Sequence, residues 1–155
     1  MENKSKIASL ELQALRSQMN PHFVHNSLNA IQYYIQRNDV ELSENYLTRF
    51  SRLVRMFFDY SERQTISLNE ELELLENYLL IEKMRFEDKF SYQIICDDHL
   101  KEVNPQIPSM ILQPIVENAI NHGIFHRKKD GLIRVSFEKQ KNNSIEIIIE
   151  DNGIG

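Results

Sequence analysis

Apolar residues recur at helical spacing through most of the first 60 positions, then give way to a mixture of helical and strand-like patterns. Ile7, Leu10, Ala14 and Leu15 begin one stripe, and Phe23, Leu28, Ile31, Tyr34 and Ile35 continue a similar one. Pro21 interrupts it, because a proline inside a helix removes a backbone hydrogen bond and clashes with the preceding turn, at a cost of about 3 kcal/mol. Either the helix kinks there, or Asn20 caps a new helix with Pro21 at its first position. Asn38-Asp39 marks a turn. From Val40 onward, Leu47, Phe50, Val54, Phe57 and Phe58 line one face of a second helix predicted to end near Tyr60. Two such helices form an antiparallel hairpin, and a second copy would bury its apolar stripe in a four-helix bundle.

The pattern changes near residue 65. Ser67 and Glu70 have the spacing of a capping box, and Leu68, Leu72, Leu75 and Leu79 follow at helical intervals, predicting a helix to about Phe86. Phe90 to Cys96 reads as a strand, and the segment to Pro108 as a loop containing Pro105. Ser109 to His122 is mostly apolar and predicted helical despite Pro114, with Gly123 as its C-terminal cap. Leu132 to Phe137 reads as a strand, and Asn142-Asn143 as a hairpin turn into Ser144 to Glu150. Within that segment Ile147-Ile148-Ile149 predicts burial on both faces. The expected fold class is α+β, with a helical unit over residues 1–65 and a mixed unit over 66–155.

Composition narrows the function. Net charge of -5 and a pI near 5.6 argue against a nucleic-acid partner, whose phosphates need clustered Lys and Arg. The local basic run is Arg127-Lys128-Lys129. Cys96 is the sole cysteine, which excludes an internal disulfide and a cysteine-rich zinc site and fits a reducing cytoplasm. No run of about 18 apolar residues occurs, and the N-terminus has no apolar signal region, so a cytoplasmic location is expected for this chain.

Three blocks carry candidate chemistry. From Ser17 to Gln36 there is no Asp, Glu, Lys or Arg, although 26% of the chain is charged. Asn, His and Gln occupy the polar positions instead, and they are mediocre or merely adequate helix formers. His22 could act as a nucleophile if its other ring nitrogen is held, and Asn26, one turn on, is placed to hold it. A polar core histidine or a His22/His25 metal pair reads the same residues differently. In the second block, Leu112 to Gly123, the polar residues Glu117, Asn118, Asn121 and His122 crowd an apolar helix. An Asn oxygen suits Mg²⁺, which keeps waters and nucleotide phosphates as its other ligands. Solvent-facing residues at a helix end, or a His122/His126 metal pair, are the alternatives. The third block, Asp151-Asn152-Gly153-Ile154-Gly155, follows a strand, where Asp can accept from an adenine amino group and glycines admit a ligand close to the backbone. It is also an ordinary turn sequence.

Taken in order, Gln18-Met19-Asn20-Pro21-His22-Phe23, Gln113-Pro114-Ile115-Val116-Glu117-Asn118-Ala119 with His122-Gly123, and Asp151-Asn152-Gly153-Ile154-Gly155 resemble the pattern of the LytS-type sensor histidine kinases, the internal-region histidine kinase family. The likeness extends to the Tyr78 to Phe86 segment. It implies a dimerisation and phosphotransfer hairpin followed by a Bergerat-type ATP-binding α/β sandwich. By motif position it implies His22 as phosphoacceptor, Asn118 as the Mg²⁺ ligand and Glu117 near the phosphates, where Gln113 or Glu117 would help with the metal or the proton; Asn26 joins the catalytic set through its spacing from His22. It also implies Asp151 as adenine reader, with His122, Gly153 and Gly155 beside the nucleotide. ATP, Mg²⁺, a homodimer and a response regulator receiver domain are the implied cofactors and partners. Any membrane attachment would come through a region outside this chain.

Departures from the pattern are also informative. Val24 and His25 stand where the family usually has Leu and Phe, which makes His25 a possible secondary acceptor. Phe23 follows His22, where many other histidine kinases have an acid, and Pro114 stands one turn before Asn118, where other Bergerat proteins have Glu or Asn. Asp-Asn-Gly-x-Gly is followed in the family by an ATP lid and further strands. The expectation is therefore an incomplete ATP-binding domain that binds ATP weakly or not at all. A dimerising phosphotransfer scaffold with a vestigial ATP site is the non-enzymatic alternative, and a metal-binding helical protein a third.

Overall fold

The computed structural model describes residues 20–85, 90–123 and 131–152, together with Lys6 and Ser9, and only the backbone of His122 and Gly123. The stripe through Ile7 to Leu15, the basic run at 127–129 and His126 lie outside the described residues. The chain divides into two compact units, 1–64 and 65–155.

The first unit is a helical hairpin. Helix α1 spans Pro21–Gln36 and α2 spans Val40–Ser61. Asn20 decides the alternatives left by Pro21: its side chain accepts from the His22 N–H at 2.9 Å, and Pro21 takes a first-turn position where its missing donor costs nothing. The helix closes at Asn38, which adopts the left-handed conformation (φ 57) that Asn tolerates better than most residues. The N–H groups of Asn38 and Asp39 return to the carbonyls of Ile35 and Tyr34, at 3.0 Å each. Asp39 then caps α2 by accepting from Leu42 N–H at 3.2 Å. Ring contacts join the helices at two levels, Phe23 with Phe50 and Tyr34 with Tyr46, each with centroids 6.1 Å apart. Ile31, Leu53, Val54 and Phe57 are buried with them. Ile35, expected on the apolar stripe, is 41% exposed instead, because it is adjacent to Tyr34 and so turns away from the buried row.

The second unit is mixed, and the fold class is α+β. Strand β1 (Thr65–Ser67) leads directly into α3 (Leu68–Arg85), then β2 (Phe90–Cys96), α4 (Asp98–Val103) and β3 (Gln106–Pro108). After α5 (Gln113–Asn118) and a π-helical turn (Ala119–Gly123) come β4 (Gly131–Lys139) and β5 (Ile145–Asp151). The capping box at the head of α3 is reciprocal: Ser67 N–H donates to Glu70 Oε1 at 2.8 Å, and Glu70 N–H to Ser67 Oγ at 3.1 Å. Three strands form one sheet in the order β2-β4-β5, the first pair parallel and the second antiparallel. Helix α3 packs on β2. Leu74, Leu75, Leu79 and Ile81 of the helix, and Ile133, Val135 and Phe137 of the sheet, are buried.

Three expectations are corrected. The stretch before Pro108 is not a plain loop: it holds the short helix α4 and strand β3, which pairs antiparallel with β1. Helix α5 begins at Gln113 rather than Ser109, and it gives way to a π turn after Asn118 rather than running as one α-helix to a Gly123 cap. Ile147, Ile148 and Ile149 are half-buried rather than sealed on both faces, since β5 is one of the two edge strands of the sheet among the described residues.

Candidate functional site

His22 sits in the first turn of α1, and its ring is exposed while Phe23 and Val24 beside it are buried. The helix therefore anchors through Phe23 and Val24 and presents His22 outward. Asn26 Nδ2 lies 3.3 Å from His22 Nδ1, the one-turn pairing expected from their spacing. His25 is exposed as well. No group of three or more His, Cys, Asp or Glu able to hold a metal occurs among the described residues.

In the second unit α5 buries Gln113, Val116 and, just beyond it, Ile120. This row at i, i+3 and i+7 sends Asn118 to the exposed side and leaves Glu117 on the half-buried flank, where its Oε1 accepts from Gln113 Nε2 at 3.3 Å. Pro114 is harmless in the first turn. Asn118 is the last α-helical residue before the π turn, whose wider spacing is a feature often found beside functional groups.

Asp151 closes β5. Its register partner is buried Ile133, and Ile149 and Ile147 face Val135 and Phe137. Residues directly opposed across an antiparallel pair share a face, so Asp151 is the last position of the row that lines the buried side of the sheet. It is itself exposed, which puts a carboxylate at the mouth of an otherwise apolar face. Asn152 locks this end: its N–H donates to Leu132 O at 3.2 Å, and its Oδ1 accepts from Leu132 N–H at 2.7 Å. Gly153 and Gly155 lie outside the described residues, as does the side chain of His122. Glu117, Asn118 and Asp151 belong to one unit, and His22 with Asn26 to the other.

Two buried acids had no part in the sequence reading. Glu82 on α3 is 1% exposed. Its Oε2 lies 3.2 Å from Arg85 Nη2, its carboxylate hydrogen-bonds the Tyr78 side chain, and Oε1 has no hydrogen-bond partner. Burial above all, then the charge of Glu117, pushes its pKa up to about 7 against the opposing Arg85. Burial, then the charges of Glu82 and Glu117, likewise raises Tyr78. Glu71, also 1% exposed, is pushed up to about 7 by burial, opposed by hydrogen bonds from the backbone N–H groups of Met110 and Leu112. A sequence signal existed: positions 71, 75, 78, 79 and 82 share one helix face, so two glutamates interrupt an otherwise apolar row.

The family model described as "Histidine kinase" matches residues 10–90, more than half of the chain. The chain belongs to the histidine kinase family. Its relatives include the sensor protein LytS of Staphylococcus haemolyticus, 37% identical over 99% of this chain and 26% of that protein. The sensor histidine kinase YpdA of Escherichia coli is 37% identical over 94% of this chain and 25% of its own length. A putative uncharacterized protein of Bacillus subtilis, YwpD, is 34% identical over 94% of this chain and 51% of its own. The chain thus spans between a quarter and half of the length of these relatives. As a histidine kinase family member it has no helix, among the described residues, long and apolar enough to cross a membrane.

Proposed function

We propose that this chain is the phosphoacceptor and nucleotide-binding core of a sensor histidine kinase, acting as a homodimer, with His22 as the phosphorylated residue and a response regulator aspartate as the final acceptor. The observation that carries the reading is the exposed His22 ring in a first turn anchored by buried Phe23 and Val24, with Asn26 on its Nδ1. A histidine with one nitrogen held and the other in solvent is built as a nucleophile.

The contact is compatible with either tautomer of the ring. With Asn26 Nδ2 donating to Nδ1, the ring proton resides on Nε2. Turning the Asn26 amide end for end offers Oδ1 to Nδ1–H instead and moves the lone pair to Nε2. In that tautomer His22 Nε2 attacks the γ-phosphorus in line; an N–P bond forms, the P–O bond to ADP breaks with its electron pair going to ADP, and the Nδ1 proton of the resulting imidazolium is released to water. Positioning and charge neutralisation supply most of the acceleration in such transfers.

In the second unit the donor set fits Mg-ATP. Asn118 offers a neutral amide oxygen on the exposed side of α5, suited to one position on a hydrated Mg²⁺. Mg²⁺ when bound would neutralise phosphate charge. Asp151, at the open end of an apolar sheet face, suits an adenine ring that needs both an apolar wall and one acceptor. Glu117 and His122 flank Asn118 in sequence and are assigned to the phosphate side, and Gly153 and Gly155 to the loop around the nucleotide.

The test is incubation with γ-labelled ATP and Mg²⁺ of a form that carries the ATP-binding domain beyond Gly155. Acid-labile, alkali-stable label is expected, lost in His22→Gln and retained in His25→Gln. Label that persists in His22→Gln would remove His22 from the role.

A further inference from the structure

Helix α5 starts from a turn in an uncommon backbone conformation. Met110 has a positive φ of 59 without being glycine or asparagine, a conformation that costs an ordinary residue about 1 kcal/mol or more. Leu112 occupies the cap position of α5, and no side chain caps the helix from there. Nevertheless Leu112 is buried, and Gln113 and Val116 after it are buried too, so the turn is held in one place.

What holds it comes from another element. The Glu71 carboxyl group on α3 accepts hydrogen bonds from the backbone N–H groups of Met110 and Leu112. Its Oε2 is buried without a hydrogen-bond partner. A buried carboxyl that receives two backbone amides from another element, with one of its oxygens left unpartnered, is an arrangement for fixing a backbone, since a merely packed position would be filled better by Leu or Met.

We infer that Glu71 is a positioning residue: it clamps the turn at residues 110–112 and so fixes the angle at which α5 presents Asn118. Its consequence for Mg-ATP rests on the reading of Asn118 given above; the clamp itself does not. The same geometry calls for an acceptor oxygen at this site, since both bonds arrive from N–H groups. It also singles out Gln as the conservative replacement. The carboxamide oxygen of Glu71→Gln can still accept from the two amides, and its NH₂ can take the side where the carboxyl has no partner.

Two measurements on Glu71→Ala and Glu71→Gln test the inference. Amide hydrogen exchange in the 155-residue chain is expected to quicken at Met110 and Leu112 by about tenfold or more in Glu71→Ala, two hydrogen bonds being lost, and to stay near wild type in Glu71→Gln. In the form extended beyond Gly155, the KM for Mg-ATP is expected to rise about tenfold in Glu71→Ala with a smaller change in kcat, and to recover in Glu71→Gln. Unchanged protection in Glu71→Ala, or a Glu71→Gln that behaves like Glu71→Ala, overturns the clamp. Released amides with an unchanged KM overturn the positioning role. Should the wild-type protein show no ATP-dependent label at all, the nucleotide reading fails, and the exchange comparison still decides the clamp.

Discussion

Replacing Glu82 by Gln should remove a pH dependence of stability that this one side chain creates. In the unfolded chain the carboxyl group titrates at its ordinary value of 4.5, whereas in the folded protein burial holds it up to about 7. Between those values the folded state binds more protons than the unfolded state, so stability falls as pH rises from about 4.5 to about 7 and levels off above. At 1.36 kcal/mol for each tenfold in proton affinity, the gap amounts to about 3 kcal/mol. Glu82 is 1% exposed, so solvent screening offers little reason to discount this. The Arg85 partner, 3.2 Å away, is already counted as the opposing influence. Glu82→Gln keeps the shape and cannot ionise. The assay is urea unfolding followed by far-ultraviolet circular dichroism at several pH values from 4.5 to 8, for wild type and variant. The free-energy difference between the two should move in favour of the variant by about 3 kcal/mol across that range, whatever its sign at pH 4.5. Taking the difference cancels the groups that titrate alike in both proteins. Parallel profiles would refute the reasoning, because they would mean that Glu82 loses its proton in the folded protein as readily as in the unfolded chain.

Other substitutions probe separate elements. Phe50→Ala, which empties a fully buried position and removes the ring against Phe23, should cost about 3–5 kcal/mol in unfolding experiments. Asn26→Ala should slow phosphorylation of His22 by about five- to tenfold, the worth of one hydrogen bond, in single-turnover labelling. Met110→Gly should leave stability within about 1 kcal/mol of wild type by thermal unfolding, since glycine accepts the positive φ at an entropic cost. Met110→Val should be worse than Met110→Gly by about 2 kcal/mol, as a β-branched residue fits that conformation poorly. Ser67→Ala, which breaks one half of the capping box, should cost about 1 kcal/mol.

The helical hairpin was legible because its information is local and repeated. Each turn of α1 and α2 adds an apolar residue at the expected place, and Asn20, Asn38 and Asp39 punctuate the ends with side-chain chemistry that needs no distant partner. The capping box at Ser67 and Glu70 was legible for the same reason. The β1–β3 ribbon was not, because three-residue strands have no periodicity and exist only through pairing between segments far apart in the chain, Thr65–Ser67 with Gln106–Pro108. The start of α5 was misplaced because Ser109 to Leu112 has helix-compatible composition, while the conformation of Met110 is imposed by Glu71 on another helix. Among candidate site residues, His22 and Asn26 stand together as their spacing indicates. The position of Asp151 on the sheet face required the register of β5 against β4, which no motif contains. Glu71 and Glu82 were passed over because a glutamate on a helix is ordinarily a solvated residue; only their phase relative to Leu75 and Leu79 sets them apart.

The π turn from Ala119 to Gly123 has a consequence for how this motif can vary. A π turn takes more residues to complete a circuit than an α turn, so the positions after Asn118 lag behind the angle that counting along the sequence assigns them. The interval between Asn118 and His122 is therefore a phase as much as a distance. Loss of one residue there would draw the backbone into a tighter coil and swing everything downstream around the helix axis, while every residue type in the motif stayed the same. Substitutions in this block can be judged one side chain at a time, but insertions and deletions act as rotations.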